Sequence, residues 1–182
     1  AGSAENLIIL QMVRVPRILT AIIAGGGLAV AGAQMQSILR NPLADPHIMG
    51  ISSGASLGAA IATLVGGGTV ISEGILHGSS VAVSATLGAA VAAVIIMSAS
   101  VKFRRASTLL VFGVMLSFII NAVVTVLQSS SNAENLKIFH SWSAGNFGTT
   151  SSKEIILLSS TLLIAILLAF TNRTGLDIIL FG

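Results

Sequence analysis

Long uncharged stretches, separated by short polar connections, run through the whole chain. Between Arg17 and Arg40 lie 22 uncharged residues, and runs of 27, 28, 28 and 18 follow before Arg173. A membrane-spanning α-helix needs about 20 predominantly apolar residues. The pattern therefore predicts an all-α, polytopic helical bundle in a membrane. Its five predicted spans are residues 18–39, 47–66, 80–101, 107–128 and 154–171.

A soluble all-α core is the competing interpretation, and the helix faces argue against it. Residues 80–101 carry no charged side chain at any helical spacing. A surface helix of a soluble protein has a polar stripe, so this helix must face lipid or be buried on every side. Five such helices cannot all be central in a domain of 182 residues.

The composition supports lipid as the surrounding solvent. The chain is 54% hydrophobic and only 8% charged, whereas soluble domains carry about 25% charged residues. The net charge of +3 is spread thinly between apolar runs, which favours a topology signal over nucleic-acid binding. The sequence has no cysteine, so disulfides and thiolate metal sites are excluded. The polar start AGSAEN does not resemble a signal peptide and suggests a cut from a longer chain.

Basic residues in the connections predict the orientation. One set is Arg40, Lys102, Arg104, Arg105 and Arg173, and the opposite set is Arg14, Arg17, Lys137 and Lys153. Because three basic residues of the first set share one tight connection, that side is predicted to face the cytoplasm. The chain is thus expected to be a multi-pass protein of the cytoplasmic membrane.

The connection at residues 129–153 is polar at first and then aromatic. It carries Ile138, Phe139, Trp142 and Phe147. Aromatic side chains favour the headgroup region of a bilayer. We therefore expect a short interfacial helix here.

Residues 50–54 match the G-x-S-x-G pattern of a serine-hydrolase nucleophile elbow. That motif needs a preceding strand and a following helix, but here it stands at the start of a predicted span. Gly50, Gly54 and Gly58 recur every four residues, which favours close helix packing over catalysis. An intramembrane hydrolase using Ser52 or Ser53 stays an alternative that labelling with a fluorophosphonate would reveal.

Other potential ligand sites are weak. Gly25, Gly26 and Gly27 are not followed by the Lys-Ser/Thr of a phosphate loop. The histidines have no His or carboxylate partner at helical ligand spacing. Neither a metal site nor a cofactor is expected.

Polar side chains form a stripe on the fourth predicted span. It consists of Ser117, Asn121, Thr125 and Gln128, at spacings of four, four and three. Polar groups inside a membrane face the bundle interior or a water-filled path. The stripe could line a translocation path or could only bond neighbouring helices. No Asp or Glu lies within the spans except Glu154, which opens the last one, and this disfavours an ion-coupled carrier.

Arg14 and Arg17 flank Val15-Pro16 just before the first predicted span. They could reach the headgroups as isolated cations. Alternatively, their planar guanidinium groups could dock the carboxylates of an acidic partner.

Several motifs occur here in the order typical of one family. They are R-V-P-R, A-V-A-G-A-Q-M-Q, N-P-L-A-D-P, G-I-S-S-G-A, W-S-A-G-N-F-G and L-D-I-I-L-F-G. Together they make essentially the whole chain resemble the permease subunit of iron-siderophore, haem and cobalamin ABC importers. The segment LLVFGVMLSFIINAV looks like the fifth helix of that family.

The resemblance implies residues 1–182 as a partial permease domain, without the family's first helix and C-terminal half. It implies a homodimeric permease, an ATP-binding subunit in the cytoplasm and an extracytoplasmic substrate-binding protein. The permease itself is then no enzyme, because ATP is hydrolysed on the separate subunit. An iron chelate is the expected cargo, with cobalamin or haem as alternatives. By the resemblance, Arg14 and Arg17 dock the binding protein and residues 107–128 line the path.

Overall fold

Every element in the described part of the chain is helical. The computed structural model describes residues 10–65, 79–103, 105–145 and 152–171. The helices are α1 (Val15–Leu39), α2 (Ile51–Ala60), α3 (Ser79–Lys102), α4 (Ala106–Ser129), α5 (Ala133–Ser143) and α6 (Ser152–Thr171). A π-helical turn, Leu10–Arg14, precedes α1, and another, Ile61–Val65, continues α2. The predicted all-α fold class is confirmed.

In the part of the chain that the structure describes, three helices are long and apolar enough to cross a membrane. They are Val15–Leu39, Ser80–Lys102 and Ala106–Ser129. Ile51–Val65 and Leu158–Leu167 are shorter apolar helices. Each of the five apolar runs therefore contains a helix. That the two shorter helices also span the membrane stays a prediction.

The second apolar run becomes helical later than the predicted start at residue 47. Residues 46–50 form turns, and α2 begins at Ile51. Gly50 has φ of +90°, a left-handed conformation that glycine adopts without steric cost. Hydropathy does not register this change of backbone direction, because Ile48 and Met49 are as apolar as the helix that follows.

The turn between α1 and α2 is held by its own polar side chains. Asn41 Oδ1 accepts a hydrogen bond from the Leu43 N–H at 2.9 Å. Asp45 Oδ1 accepts one from the His47 N–H at 2.7 Å. Such side-chain to backbone bonds replace the helical ladder in a tight turn. We call residues 41–50 the α1–α2 turn.

The chain divides into two compact units. One contains residues up to Arg40 and from Gly145 onward, and within it α1 packs on α6, with Leu162 Cδ1 close to Gly27. The other is residues 41–144, where α2, α3, α4 and α5 share a core. That core consists of Ala59, Ala60, Leu64, Val81, Ala85, Ile120, Val124 and Phe139.

Helix α5 is the short helix expected in the connection at residues 129–153. Asn132 caps it, because the Asn132 side chain accepts a hydrogen bond from the Asn135 N–H at 2.8 Å. Trp142 lies partly exposed near its end. Phe139 differs from the expectation of a headgroup position, because it is only 3% exposed and packs into the core. Phe147 lies outside the described residues.

Candidate translocation path and helix crossings

Helices α2 and α3 cross through glycine. A Cβ atom built on Gly54 would lie 2.6 Å from the carbonyl oxygen of Gly88, and one built on Gly58 would lie 2.7 Å from the carbonyl carbon of Ser84. Both distances are too short for any real side chain, and the atoms in the way belong to the backbone. Small residues permit this backbone approach, which gives membrane helices much of their packing energy.

Gly50, the first of the three spaced glycines, faces a different helix. A Cβ on Gly50 would lie 3.2 Å from Ser117 Oγ and 3.3 Å from the Gly113 carbonyl oxygen, both on α4. The glycines at 50, 54 and 58 therefore do not form one ridge against one neighbour. The left-handed Gly50 precedes the helix, so the helical four-residue period does not extend back to it.

Two glycines outside the predicted packing set, Gly88 and Gly113, complete these contacts. Gly88 meets Gly54 and Gly58, and Gly113 meets Met49. A signal was available for Gly88, since Ser84, Gly88 and Ala92 recur every four residues on α3. Gly113 lies four residues before Ser117 and so continues the spacing of the polar stripe on α4.

The polar stripe of α4 divides into two parts. Ser117 is half-buried, and its hydroxyl lies 3.0 Å from the Gly113 carbonyl oxygen and 3.3 Å from the Ile48 carbonyl oxygen. Asn121 and Thr125 are exposed, and the Thr125 hydroxyl donates to the Asn121 carbonyl oxygen at 2.9 Å. Gln128 is half-buried. Asn121 and Thr125 can thus present polar atoms to a path, while the Ser117 hydroxyl is engaged by backbone.

Arg14 and Arg17 are both exposed at the start of α1. A separation of three residues puts them on neighbouring positions of one helix face. No ion pair or hydrogen bond joins either side chain to another residue in the described part of the chain. The first turn of α1 contains no acidic residue, so no carboxylate of that turn neutralises their charge.

The G-x-S-x-G segment lacks the setting of a nucleophile elbow. Turn residues, rather than a strand, precede α2. Ser53 is buried beside Gly54 in the helix crossing. Within the ranges that the structure describes, no three His, Asp or Glu side chains come together to hold a metal ion.

An apolar groove of about 370 Å³ runs between α2, α3 and α4. Its walls include Leu57, Ile61, Leu87, Val91 and Leu116. A chelate with polar groups would find almost no hydrogen-bonding partners on these walls. The groove therefore does not qualify as the cargo site.

The comparison with known proteins decides the family. All residues, 1–182, match the FecCD transport family. The chain belongs to the FecCD transport family. The resemblance drawn from the R-V-P-R and N-P-L-A-D-P motifs is thereby confirmed.

Individual relatives of this FecCD chain agree. It is 32% identical over 160 residues to the vitamin B12 import system permease protein BtuC of Klebsiella pneumoniae subsp. pneumoniae, covering 88% of the chain and 46% of that relative. To BtuC of Salmonella newport it is 33% identical over 146 residues, covering 80% of the chain and 43% of that relative.

A solved structure has the same fold as the FecCD chain. It is described as an inward-facing conformation of a metal-chelate type ABC transporter, and it superimposes with a TM-score of 0.83 at 28% identity. The match covers 99% of this chain and 55% of the other. The chain spans about half the length of the curated relatives and of the solved structure that it matches.

Proposed function

We propose that this chain belongs to the membrane-spanning subunit of an ATP-driven importer of metal chelates. The observation that carries the proposal is the family match over all 182 residues. The superposition on a metal-chelate type ABC transporter supports it. In this account the subunit is not an enzyme, since ATP is bound and hydrolysed on a separate cytoplasmic subunit. The protein is a multi-pass component of the cytoplasmic membrane and pairs with a second copy of itself.

The cargo we propose is an iron chelate of the siderophore type. The specific observation for a second candidate, cobalamin, is that the two BtuC relatives are named for vitamin B12 import. Haem is a third candidate from the same family resemblance. All three are large metal complexes with polar edges, so a polar path suits each of them.

The path is proposed to follow α4. Asn121 and Thr125 are exposed one helical turn apart in a helix otherwise rich in Val, Ile and Phe. Exposed polar groups at membrane depth are costly against lipid and favourable against water or a polar cargo. Gln128 extends the row toward the end of the helix, whereas Ser117, at its other end, has its hydroxyl held by backbone carbonyl oxygens.

Arg14 and Arg17 are proposed to dock the substrate-binding protein. Both are exposed and neither is paired within the described ranges, so ten guanidinium N–H donors in total are offered to an external carboxylate. A partner carboxylate would form charge-assisted hydrogen bonds with these guanidinium groups.

Charge reversal tests the docking surface in the full-length transporter in lipid nanodiscs. Arg14→Glu and Arg17→Glu should each weaken binding of the substrate-binding protein, and the loss should shrink at high salt. Charge-reversing Glu→Arg substitutions on the binding protein should restore part of the affinity. Arg105→Glu is the matched control, because Arg105 is exposed at the start of α4, on the predicted cytoplasmic side. Equal losses from Arg105→Glu and Arg14→Glu would contradict a specific docking surface.

Competition tests the cargo. Proteoliposomes with the full-length permease, its ATPase and its binding protein should take up a labelled ferric siderophore, and excess unlabelled cobalamin or haem should not compete. Competition by cobalamin together with direct uptake of labelled cobalamin would overturn the iron-chelate proposal in favour of the second candidate.

A further inference from the structure

The α1–α2 turn and the first half of α4 meet through backbone atoms. A Cβ on Gly113 would lie 3.0 Å from Met49 Cα and 3.1 Å from the Met49 carbonyl oxygen. On the opposite side of the contact, Gly50 lies against the Gly113 carbonyl oxygen and the Ser117 hydroxyl. Carbon atoms in ordinary contact are about 3.5–4.0 Å apart. A Cβ at position 113 would therefore require the turn to shift by a few tenths of an ångström, and one at position 50 would also be strained by the φ of +90°.

Ser117 links the two segments at the same place. Its hydroxyl lies between the Gly113 carbonyl oxygen of its own helix and the Ile48 carbonyl oxygen of the turn, which is 69 residues away in sequence. Hydroxyls elsewhere on α4, such as those of Thr125 and Ser129, bond only to carbonyl oxygens of that helix. The single hydroxyl proton of Ser117 is shared between these two carbonyl oxygens, and the longer contact, to Ile48, leaves the helix.

The turn is itself stiff next to this contact. Met49 and Ala44 are each only 2% exposed. The Asp45 carboxylate accepts a hydrogen bond from the His47 N–H at 2.7 Å. The Met49 N–H donates to the Asp45 carbonyl oxygen at 3.3 Å. These bonds and the burial of Met49 fix the shape of the turn where it contacts α4.

We propose that Gly50, Gly113 and Ser117 form a junction through which α4 and the α1–α2 turn move as one body during transport. Ser117 is then a positioning residue and does not contact the cargo. The inference rests on the proposed function, because it takes α4 as the wall of the path. Backbone atoms have no rotamers, so a contact between two backbones does not relax by a side-chain rotation. Close-packed contacts of this kind transmit displacement from one segment to the other. The half-buried Ser117 hydroxyl adds a polar link to the same contact.

The kinetic test uses Ser117→Ala in the full-length permease, reconstituted in proteoliposomes with its ATPase and binding protein. We expect the kcat of uptake to fall about threefold to tenfold, which corresponds to one lost hydrogen bond, with KM for the chelate-loaded binding protein unchanged. Ser129→Ala is the matched control, because that hydroxyl bonds only to Val126 within α4, and its kcat and KM should equal those of the wild type. A changed KM at unchanged kcat would make Ser117 a cargo contact, and unchanged values of both would make it ordinary packing. Either result overturns the proposal.

A distance measurement in nanodiscs tests the rigid coupling directly. Spin labels on Leu43→Cys in the turn and Val126→Cys on α4 suit this purpose, since the side chains are 80% and 63% exposed and this chain has no cysteine of its own. The label distance should be the same in nucleotide-free and ATP-bound transporter, and Ser117→Ala should broaden it or make it depend on nucleotide. A wild-type distance that shifts between the two states overturns the junction.

Failure of the proposed function would look different. Wild-type protein that shows no ATP-dependent uptake would remove the importer assignment. Wild-type protein that transports while its label distance shifts would remove only the junction.

Discussion

The crossing of α2 and α3 allows a sharp prediction for the substitution Gly58→Ala. The new methyl carbon would lie 2.7 Å from the Ser84 carbonyl carbon and 3.1 Å from Ala85 Cα, both main-chain atoms. Ordinary carbon contacts are about 3.5–4.0 Å apart, so the helices must separate by roughly 1 Å. Neither neighbour can turn aside as a flexible side chain would.

The magnitude follows from two opposing terms. Overpacking a tight interior costs about 1–3 kcal/mol. Alanine is favoured over glycine inside a helix by about 1 kcal/mol. Gly26→Ala provides the matched control, because Gly26 lies in α1 with no atom of the described structure within 4 Å of a built Cβ. The propensity term is common to both variants, so the difference between them should be the steric cost of about 1–3 kcal/mol.

The free energy of unfolding can be measured by titrating the full-length protein in mixed micelles with a denaturing detergent. We expect Gly26→Ala to have the highest free energy of unfolding, the wild type an intermediate one and Gly58→Ala the lowest. Equal unfolding free energies for Gly58→Ala and Gly26→Ala would refute the close backbone crossing. A Gly88→Ala variant should reproduce the loss, since its methyl group would collide with the Gly54 carbonyl oxygen from the other side.

Three further outcomes are expected. Asn132→Ala removes the cap of α5 and should cost about 1 kcal/mol, seen as faster amide hydrogen exchange across residues 133–143; exchange unchanged there would contradict the cap. Met49→Ala empties a site that is 2% exposed and should lower the unfolding free energy by about 2–5 kcal/mol, whereas a loss below 1 kcal/mol would show the site to be loosely packed. Asp45→Ala frees the His47 amide and should raise its exchange rate about fivefold, for a bond worth about 1 kcal/mol; an unaltered rate would exclude that bond.

Helix positions were predictable because charge and hydropathy report the solvent around a segment. The predicted spans 80–101 and 107–128 begin and end within one residue of the observed ends of α3 and α4. The start of α2 was not predictable this way, since it depends on the φ of Gly50 and on Asx turns at Asn41 and Asp45. Those features are local backbone geometry, and a hydropathy profile contains no information on backbone dihedral angles.

The candidate site was predictable in composition but not in orientation. A spacing of four placed Ser117, Asn121 and Thr125 on one helix face. It could not reveal that the Ser117 hydroxyl reaches a carbonyl oxygen 69 residues away. Phe139 shows the same limit, because an aromatic side chain suits both a headgroup layer and a core, and only the packing of α5 beside α2 decides between them. Long-range contacts of this kind leave no periodic trace in the sequence.

The most direct test of the importer account is ATP-dependent uptake. The full-length permease is reconstituted with its ATPase and binding protein in proteoliposomes that enclose ATP, and a labelled ferric chelate is added outside with the binding protein. The account predicts accumulation that requires enclosed ATP and the binding protein and that falls when Arg14 and Arg17 are both replaced by Glu. Accumulation that proceeds equally without ATP, or no accumulation of any metal chelate by fully assembled transporter, would contradict it.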